Sequence, residues 1–285
     1  MVTIIIGLDA GHCKSGADTG AIGCGYKEEF LTREVVNALS RILQKQGHKV
    51  VICNVDKANS VRDSLNYRAN KANNNNVNIF VSVHFNSSNT GGFGTEIYTY
   101  NAKEIPEAKR ILNNLAKLGF KNRGVKDGSN LAVIRNTNAK AMLVEVCFID
   151  NAKDMELYNK LGAYKIATAI AEGIVNKTIE VPKAPTNKLD KKAVKEQLYN
   201  ITCSLNNYAA SIKDNSILLN NIKALQGVII YLDSHSNINK QDVIKQVYGV
   251  TCSLNSYASK VKNNKCVLDN TRALNGVIDY LNTHN

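Results

Sequence analysis

Two histidines and two glutamates stand where runs of apolar residues give way to polar ones: His12, Glu28, His84 and Glu145. The run 3–9 leads into His12, 79–83 into His84 and 141–144 into Glu145, while Glu28 falls in the loop after the first run. Imidazole and carboxylate are the ligands that zinc takes at about 2.0–2.2 Å, and a three-ligand set leaves a coordination position for water. A further glutamate beside such a set can act as a general base. A lone histidine after a strand is more commonly a structural, hydrogen-bonded residue, so the set as a whole carries the reading.

Something must hold four such residues together, and the runs themselves suggest what. They are β-branched, four to seven residues long and bounded by Gly, Asn and Asp, as interior strands of a parallel sheet are. Chemistry in open α/β sheets collects beyond the carboxyl ends of such strands. Leu31, Val35, Leu39, Ile42 and Leu43 keep helical spacing and stop at Gly47. Further strands are expected at 49–54, 79–84, 94–100, 130–135 and 142–147, and helices near 62–73, 104–118 and 153–176. The alternation predicts an α/β domain over 1–178, a twisted, largely parallel sheet flanked by helices.

Two of the three prolines lie within the polar stretch 180–190, so 179–190 reads as a linker. After it the chain repeats itself at an offset of 49 residues: 191–235 aligns without a gap onto 240–284, and Thr-Cys-Ser-Leu-Asn occurs at 202–206 and at 251–255. A repeat this clear is a duplicated structural unit. Apolar residues step by three and four on both sides of Asp214-Asn215-Ser216, so each copy is an αα-hairpin whose turn ends one helix and caps the next. Residues 191–285 therefore form a small all-α domain, either a four-helix bundle or a pairing surface for another chain. Tyr199/Tyr248 and Tyr208/Tyr257 recur near apolar positions and read as core. His235 and His284 recur at helix C-termini, where the dipole favours them.

The formal charge of +12 calls for an anionic partner, and on charge alone nucleic acid, membrane and cell wall are all open. Seven cysteines without a CxxC pair argue against a disulfide framework. No run approaches the roughly 18 to 20 apolar residues that span a bilayer. The apolar N-terminus has no basic n-region, so it reads as a strand rather than a signal peptide, and the expectation is a protein held in the cytoplasm until released. The glycine-bearing loop Gly11–Gly16 lacks the Gly-Lys-Ser/Thr ending of a phosphate-binding loop.

The motifs Gly11-His12, Asp18-Thr19-Gly20-Ala21-Ile22-Gly23, Gly25-Tyr26-Lys27-Glu28, Ser64 to Arg68, Ser82-Val83-His84-Phe85-Asn86 and Leu143-Val144-Glu145 together resemble the zinc-dependent N-acetylmuramoyl-L-alanine amidases of the Amidase_3 type, from residue 3 to about 178. The resemblance implies that His12, Glu28 and His84 hold one zinc ion and that Glu145 is the catalytic glutamate. It implies hydrolysis of the amide between the lactyl group of N-acetylmuramic acid and L-alanine in peptidoglycan. The wall, rather than nucleic acid or a membrane, is then the expected partner. A phage or prophage endolysin is the favoured setting; a bacterial autolysin, or a non-catalytic wall-binding or assembly protein on this fold, is the alternative.

Several readings stay open at this level. Glu29 adjoins Glu28 and competes as ligand; Cys13, Cys24 and Cys147 border the site, and zinc accepts thiolate. Asn86 lies two residues past His84 and is a candidate substrate contact, Arg68 reads as an ion-pair partner, and Asp9 as the carboxylate that orients a histidine. Relative to the family, two extra residues separate His12 from Asp18. For the basic helical repeats, attachment to anionic wall polymers and self-association are both expected roles.

Overall fold

A computed structural model of the chain describes residues 3–180, 189–258, 260–261 and 264–284; most of the expected linker, 181–188, lies outside the described residues. Two compact units divide between Ile179 and Glu180. In chain order the first contains β1 (Ile5–Ala10), β2 (Ser15–Gly16), β3 (Ile22–Gly23), β4 (Tyr26–Lys27), α1 (Glu28–Lys45), β5 (Lys49–Ile52), β6 (Lys57–Ala58), α2 (Val61–Asn74), β7 (Ile79–Asn86), β8 (Thr95–Thr99), α3 (Pro106–Lys117), β9 (Asn122–Asp127), α4 (Ala132–Arg135), β10 (Lys140–Phe148) and α5 (Ala152–Val175).

Six strands form one sheet in the order β5-β1-β7-β10-β8-β9, parallel throughout except between β8 and β10. The three longest interior strands are the apolar runs, and their pleat sorts side chains onto two faces. Ile6, Leu8, Val81, Val83, Met142, Val144 and Ile97 meet α1, α3 and α5 on one face. Phe80, Leu143 and Tyr98 meet α2 and α4 on the other. By the same alternation Asp9, Ser82, His84, Glu96 and Glu145 belong to the α2/α4 face. Each fully buried Leu, Ile or Val contributes about 1.5–3 kcal/mol, so a one-residue slip that turned these strands over would be prohibitive.

Three sequence expectations need correction. The stretch 130–135 holds the single-turn helix α4, because its apolar run is too short for periodicity to separate strand from helix, and Val133 and Ile134 bury on one side of a turn. The edge strand β9 was not expected: Asn-Arg-Gly-Val-Lys-Asp has one large apolar residue, and its charges suit an exposed edge. Glu28 opens α1 instead of lying in a loop, and an acidic residue in a first turn is favoured by the helix dipole.

The second unit comprises α6 (Lys191–Ala210), α7 (Ser216–Ser234), α8 (Lys240–Ala258) and α9 (Lys265–Thr283). Each hairpin packs within itself, and α6 also meets α9 while α7 meets α8, giving a closed four-helix bundle. Leu198, Leu205, Leu225 and Val228 share its core with Val247, Leu254, Leu274 and Val277. Between the repeats Asn221 Nδ2 donates to Ser253 Oγ and Asn270 Nδ2 to Ser204 Oγ, both at 2.9 Å. These pairs are equivalent under the 49-residue offset, so the halves meet reciprocally. The turn asparagines behave differently from the expected caps. Asn215 and Asn264 make no cap to the following helix and donate back to the carbonyls of Ala209 and Ala258. Tyr248 and Tyr257 are buried as expected, whereas Tyr199 is 61% exposed. His235 and His284 do sit at helix C-termini, each with Nδ1 on the carbonyl four residues back.

Candidate metal and catalytic site

The sheet brings His12, Glu28 and His84 together, with one ligand atom of each within 4.8 Å of the others. Glu28 Oε1 accepts from Phe85 N at 3.0 Å and lies 2.9 Å from His84 Nδ1. Its Oε2 accepts from Ala21 N at 2.9 Å and lies 3.2 Å from His12 Nε2. The two backbone amides fix the carboxylate, and the two imidazoles meet edge to face with centroids 4.8 Å apart. His84 Nε2 is buried and has no hydrogen-bond partner among the described residues. Each imidazole presents a nitrogen to the same fixed carboxylate, His84 Nδ1 at 2.9 Å and His12 Nε2 at 3.2 Å, and two histidines with one carboxylate are a zinc donor set.

Two glycines make the cluster sterically possible. A Cβ on Gly11 would stand 2.3 Å from His84 Cε1, and one on Gly20 would stand 2.7 Å from Glu28 Cβ and 3.0 Å from His12 Cδ2. His12 itself has φ 66°, the left-handed region that costs a non-glycine residue about 1–2 kcal/mol. Its surroundings hold it there: Arg33 Nη2 donates to the His12 carbonyl, and Cys13 N donates to the Asp18 carbonyl.

Asp18, not Asp9, orients His12. Its Oδ1 lies 3.1 Å from His12 Nδ1, while Oδ2 accepts from Ser64 Oγ and from Arg68 Nη2. Asp9 sits one step behind, accepting from Arg68 Nη1 and Ser82 Oγ. Arg68 is thus the buried ion-pair partner, bridging two aspartates. The longer loop after His12 is anchored through β2 on β6, with Lys14 paired to Asp56. Glu29 is buried outside the ligand cluster, and none of the cysteines joins it; Cys13 Sγ meets Ser64 Oγ.

Glu145 lies in register with His84 of β7 on one side and with Glu96 of β8 on the other. Its Oε2 is enclosed and lacks a hydrogen-bond partner among the described residues. Burial, reinforced by the charges of Glu28 and Glu96, pushes its carboxyl well above the ordinary range. Asn86 is occupied: Nδ2 donates to Glu96 Oε1 at 2.7 Å. Glu96 also accepts from Tyr98 OH and Arg123 Nε. Sequence reasoning missed this glutamate, although a charge at a position that pleats inward within an otherwise apolar strand is a usable signal.

Electrostatics couple the cluster to protons. Burial opposes charge on His12, but its hydrogen bonds to Asp18 and Glu28 prevail and raise its pKa from 6.5 to about 9. The same imidazoles hold Glu28 far below the usual carboxylate range despite its burial. A folded-state pKa above the unfolded one means that His12 adds stability to the metal-free protein in full below pH 6.5, and that this is lost as pH rises towards 9. A metal must displace that proton. Zinc dissociation constants from chelator competition are therefore expected to rise about tenfold for each unit that pH falls from 8 to 6; a constant value over that range would refute the coupling.

Comparison with known proteins adds independent information. Residues 6–176 match the family described as N-acetylmuramoyl-L-alanine amidase. An uncharacterized protein of Clostridium perfringens (strain 13 / Type A) is 37% identical over 177 residues, which cover 60% of this chain and 52% of that protein. The endolysin of Bacillus phage SPP1 is 34% identical over 180 residues, covering 60% of this chain and 64% of the endolysin. The chain thus matches about half of the first relative and under two thirds of the second. Among solved structures, the catalytic domain of the CD27L endolysin targeting Clostridia Difficile has a TM-score of 0.57 at 32% identity, over 62% of this chain and 99% of that domain. The mostly parallel sheet flanked by helices is the fold of that catalytic domain.

Proposed function

The chain belongs to the N-acetylmuramoyl-L-alanine amidase family through residues 6–176, and on that premise we propose that it hydrolyses the amide joining the lactyl group of N-acetylmuramic acid to L-alanine in peptidoglycan. His12, Glu28 and His84 would hold one zinc ion. When bound, zinc supplies Lewis acidity that polarises a carbonyl and acidifies water. The observation that carries the reading is Glu145 in register with His84, its Oε2 enclosed and without a hydrogen-bond partner among the described residues.

Glu145 takes the proton of the attacking water as the carbon–oxygen bond forms. It returns that proton to the L-alanine nitrogen as the carbon–nitrogen bond breaks, leaving a lactyl carboxylic acid and an amine, which ionise to carboxylate and ammonium. Burial beside Glu28 and Glu96 favours the proton-bearing form of its carboxyl, which suits the second half of that task, delivery of the proton to the leaving nitrogen. Asp18 keeps the His12 ring oriented, and Ala21 N and Phe85 N keep Glu28 oriented. The identity to a phage endolysin supports a lytic role on the wall.

Purified peptidoglycan digested by the full chain should gain new L-alanine amino termini. Metal stripping should abolish their release and added zinc should restore it. New reducing sugars without new amino termini would refute the assigned bond, and undiminished activity in protein shown to be metal-free by elemental analysis would refute the metal.

A further inference from the structure

Beside Glu145 the sheet carries a cationic and aromatic rim that the reaction above does not use. β8 runs opposite to β10, so the starts of β8 and β9 lie at the same edge of the sheet as the carboxyl ends of β7 and β10. That edge therefore holds Phe93, Lys121 and Arg123 together with His84 and Glu145. The register between β8 and β9 slips after Thr95↔Asn122 and resumes at Ile97↔Val125, which leaves Arg123 and Gly124 opposite Glu96. Gly124, at φ 84°, takes up the bulge.

Arg123 is held rather than buried. Nε donates to Glu96 Oε2 at 2.8 Å, Nη1 reaches the Phe93 carbonyl at 3.5 Å, and the guanidinium lies 5.0 Å from the Phe148 ring centroid. Nη2 has no hydrogen-bond partner among the described residues, and the side chain stays 31% exposed. Phe93 is 45% exposed, with Lys121 Nζ 4.6 Å from its ring centroid. The loop that presents Phe93 is itself pinned, by Gly94 N on Asp154 and by Asn151 Nδ2 on the Gly92 carbonyl. An oriented guanidinium with open donors beside an exposed ring is how proteins take up a carboxylate on an otherwise uncharged ligand.

We propose that Arg123, seated on Glu96 and Phe148, is a specificity-determining residue that binds a carboxylate of the leaving peptide, with Phe93 and Lys121 completing the subsite. The inference rests on the amidase reading. Two strand spacings, roughly 10 Å, separate β9 from β10. A carboxylate on the second residue of the leaving peptide lies roughly 7 Å from the scissile nitrogen. The arginine side chain spans the difference. Glu96 then has a purpose in the site without touching substrate: it fixes the arginine that does.

The test uses the zinc-loaded full chain and two synthetic N-acetylmuramoyl peptides that differ only in whether the second residue bears a free carboxylate or a carboxamide. The wild type should show a KM about tenfold lower for the acid, the scale of one charge-assisted pair. Arg123→Ala should erase that preference, with the loss carried by KM on the acid, and Arg123→Lys should restore part of it. The double variant Glu96→Gln/Arg123→Gln, which removes the charge pair as a unit, should behave like Arg123→Ala. Equal cleavage of both peptides by the wild type, or an Arg123→Ala defect equal on both, overturns the assignment while leaving the amidase reading intact. Cleavage of neither peptide overturns both.

Discussion

Glu145→Gln is expected to lower the release of L-alanine amino termini by about 100- to 10,000-fold, the range that general acid–base catalysis supplies, while zinc content and fold are kept. The amide has the shape of the acid but cannot accept the proton of the attacking water. Stability should hold, because the wild-type carboxylate is flanked by Glu28 and Glu96 and its Oε2 has no hydrogen-bond partner among the described residues to lose. Zinc content by elemental analysis and the thermal midpoint separate a chemical defect from a lost site. Turnover within a few-fold of wild type would remove Glu145 from the proton-transfer step.

The second large effect comes from a residue with no side chain. In Gly11→Ala the new methyl would stand 2.3, 2.4 and 2.6 Å from three atoms of the His84 ring. Gly11 cannot simply retreat, since its N–H donates to the Val83 carbonyl and its own carbonyl accepts from Thr32 Oγ1. The imidazole must rotate away, and a ligand is lost to the metal. Changes behind a ligand cost about 10- to 100-fold in metal affinity; displacing the ligand itself should cost at least about 100-fold, with activity falling in step. Circular dichroism should be unchanged, because only the strand-end contact is altered. Zinc binding at wild-type strength by Gly11→Ala would show that His84 is not a ligand.

What the sequence revealed of the site depended on locality. His12, His84 and Glu145 end apolar runs, so strand periodicity predicts both their edge and, for His84 and Glu145, their face. Asp9 is expected to orient a histidine, and Asp18 does so for His12 instead, because the choice lies in the path of the loop after His12, where Cys13 N folds back on the Asp18 carbonyl. Arg68 meets Asp18 across 50 positions and Asp9 across 59, and no spacing rule reports such a meeting. Glu96 was overlooked for the same reason: its partners Asn86 and Arg123 come from neighbouring strands. The mistaken strand at 130–135 has a different cause, since four apolar-rich residues fit one helical turn as readily as an extended segment. Duplication made the helical repeats legible. The two Asn–Ser bonds that join them, however, cross from one copy to the other and appear only in three dimensions.

The buried Arg68, shared between Asp9 and Asp18, ties the end of β1, the loop carrying Asp18 and helix α2 into one charged knot behind His12. On the proposed reading, His12 would therefore be placed as a ligand during folding of the polypeptide and not at the moment of metal capture. Loading and stripping of the proposed zinc should then be reversible without refolding. The exchange rate of that ion should follow access and proton release, in contrast to small domains in which the ion and the fold arrive together.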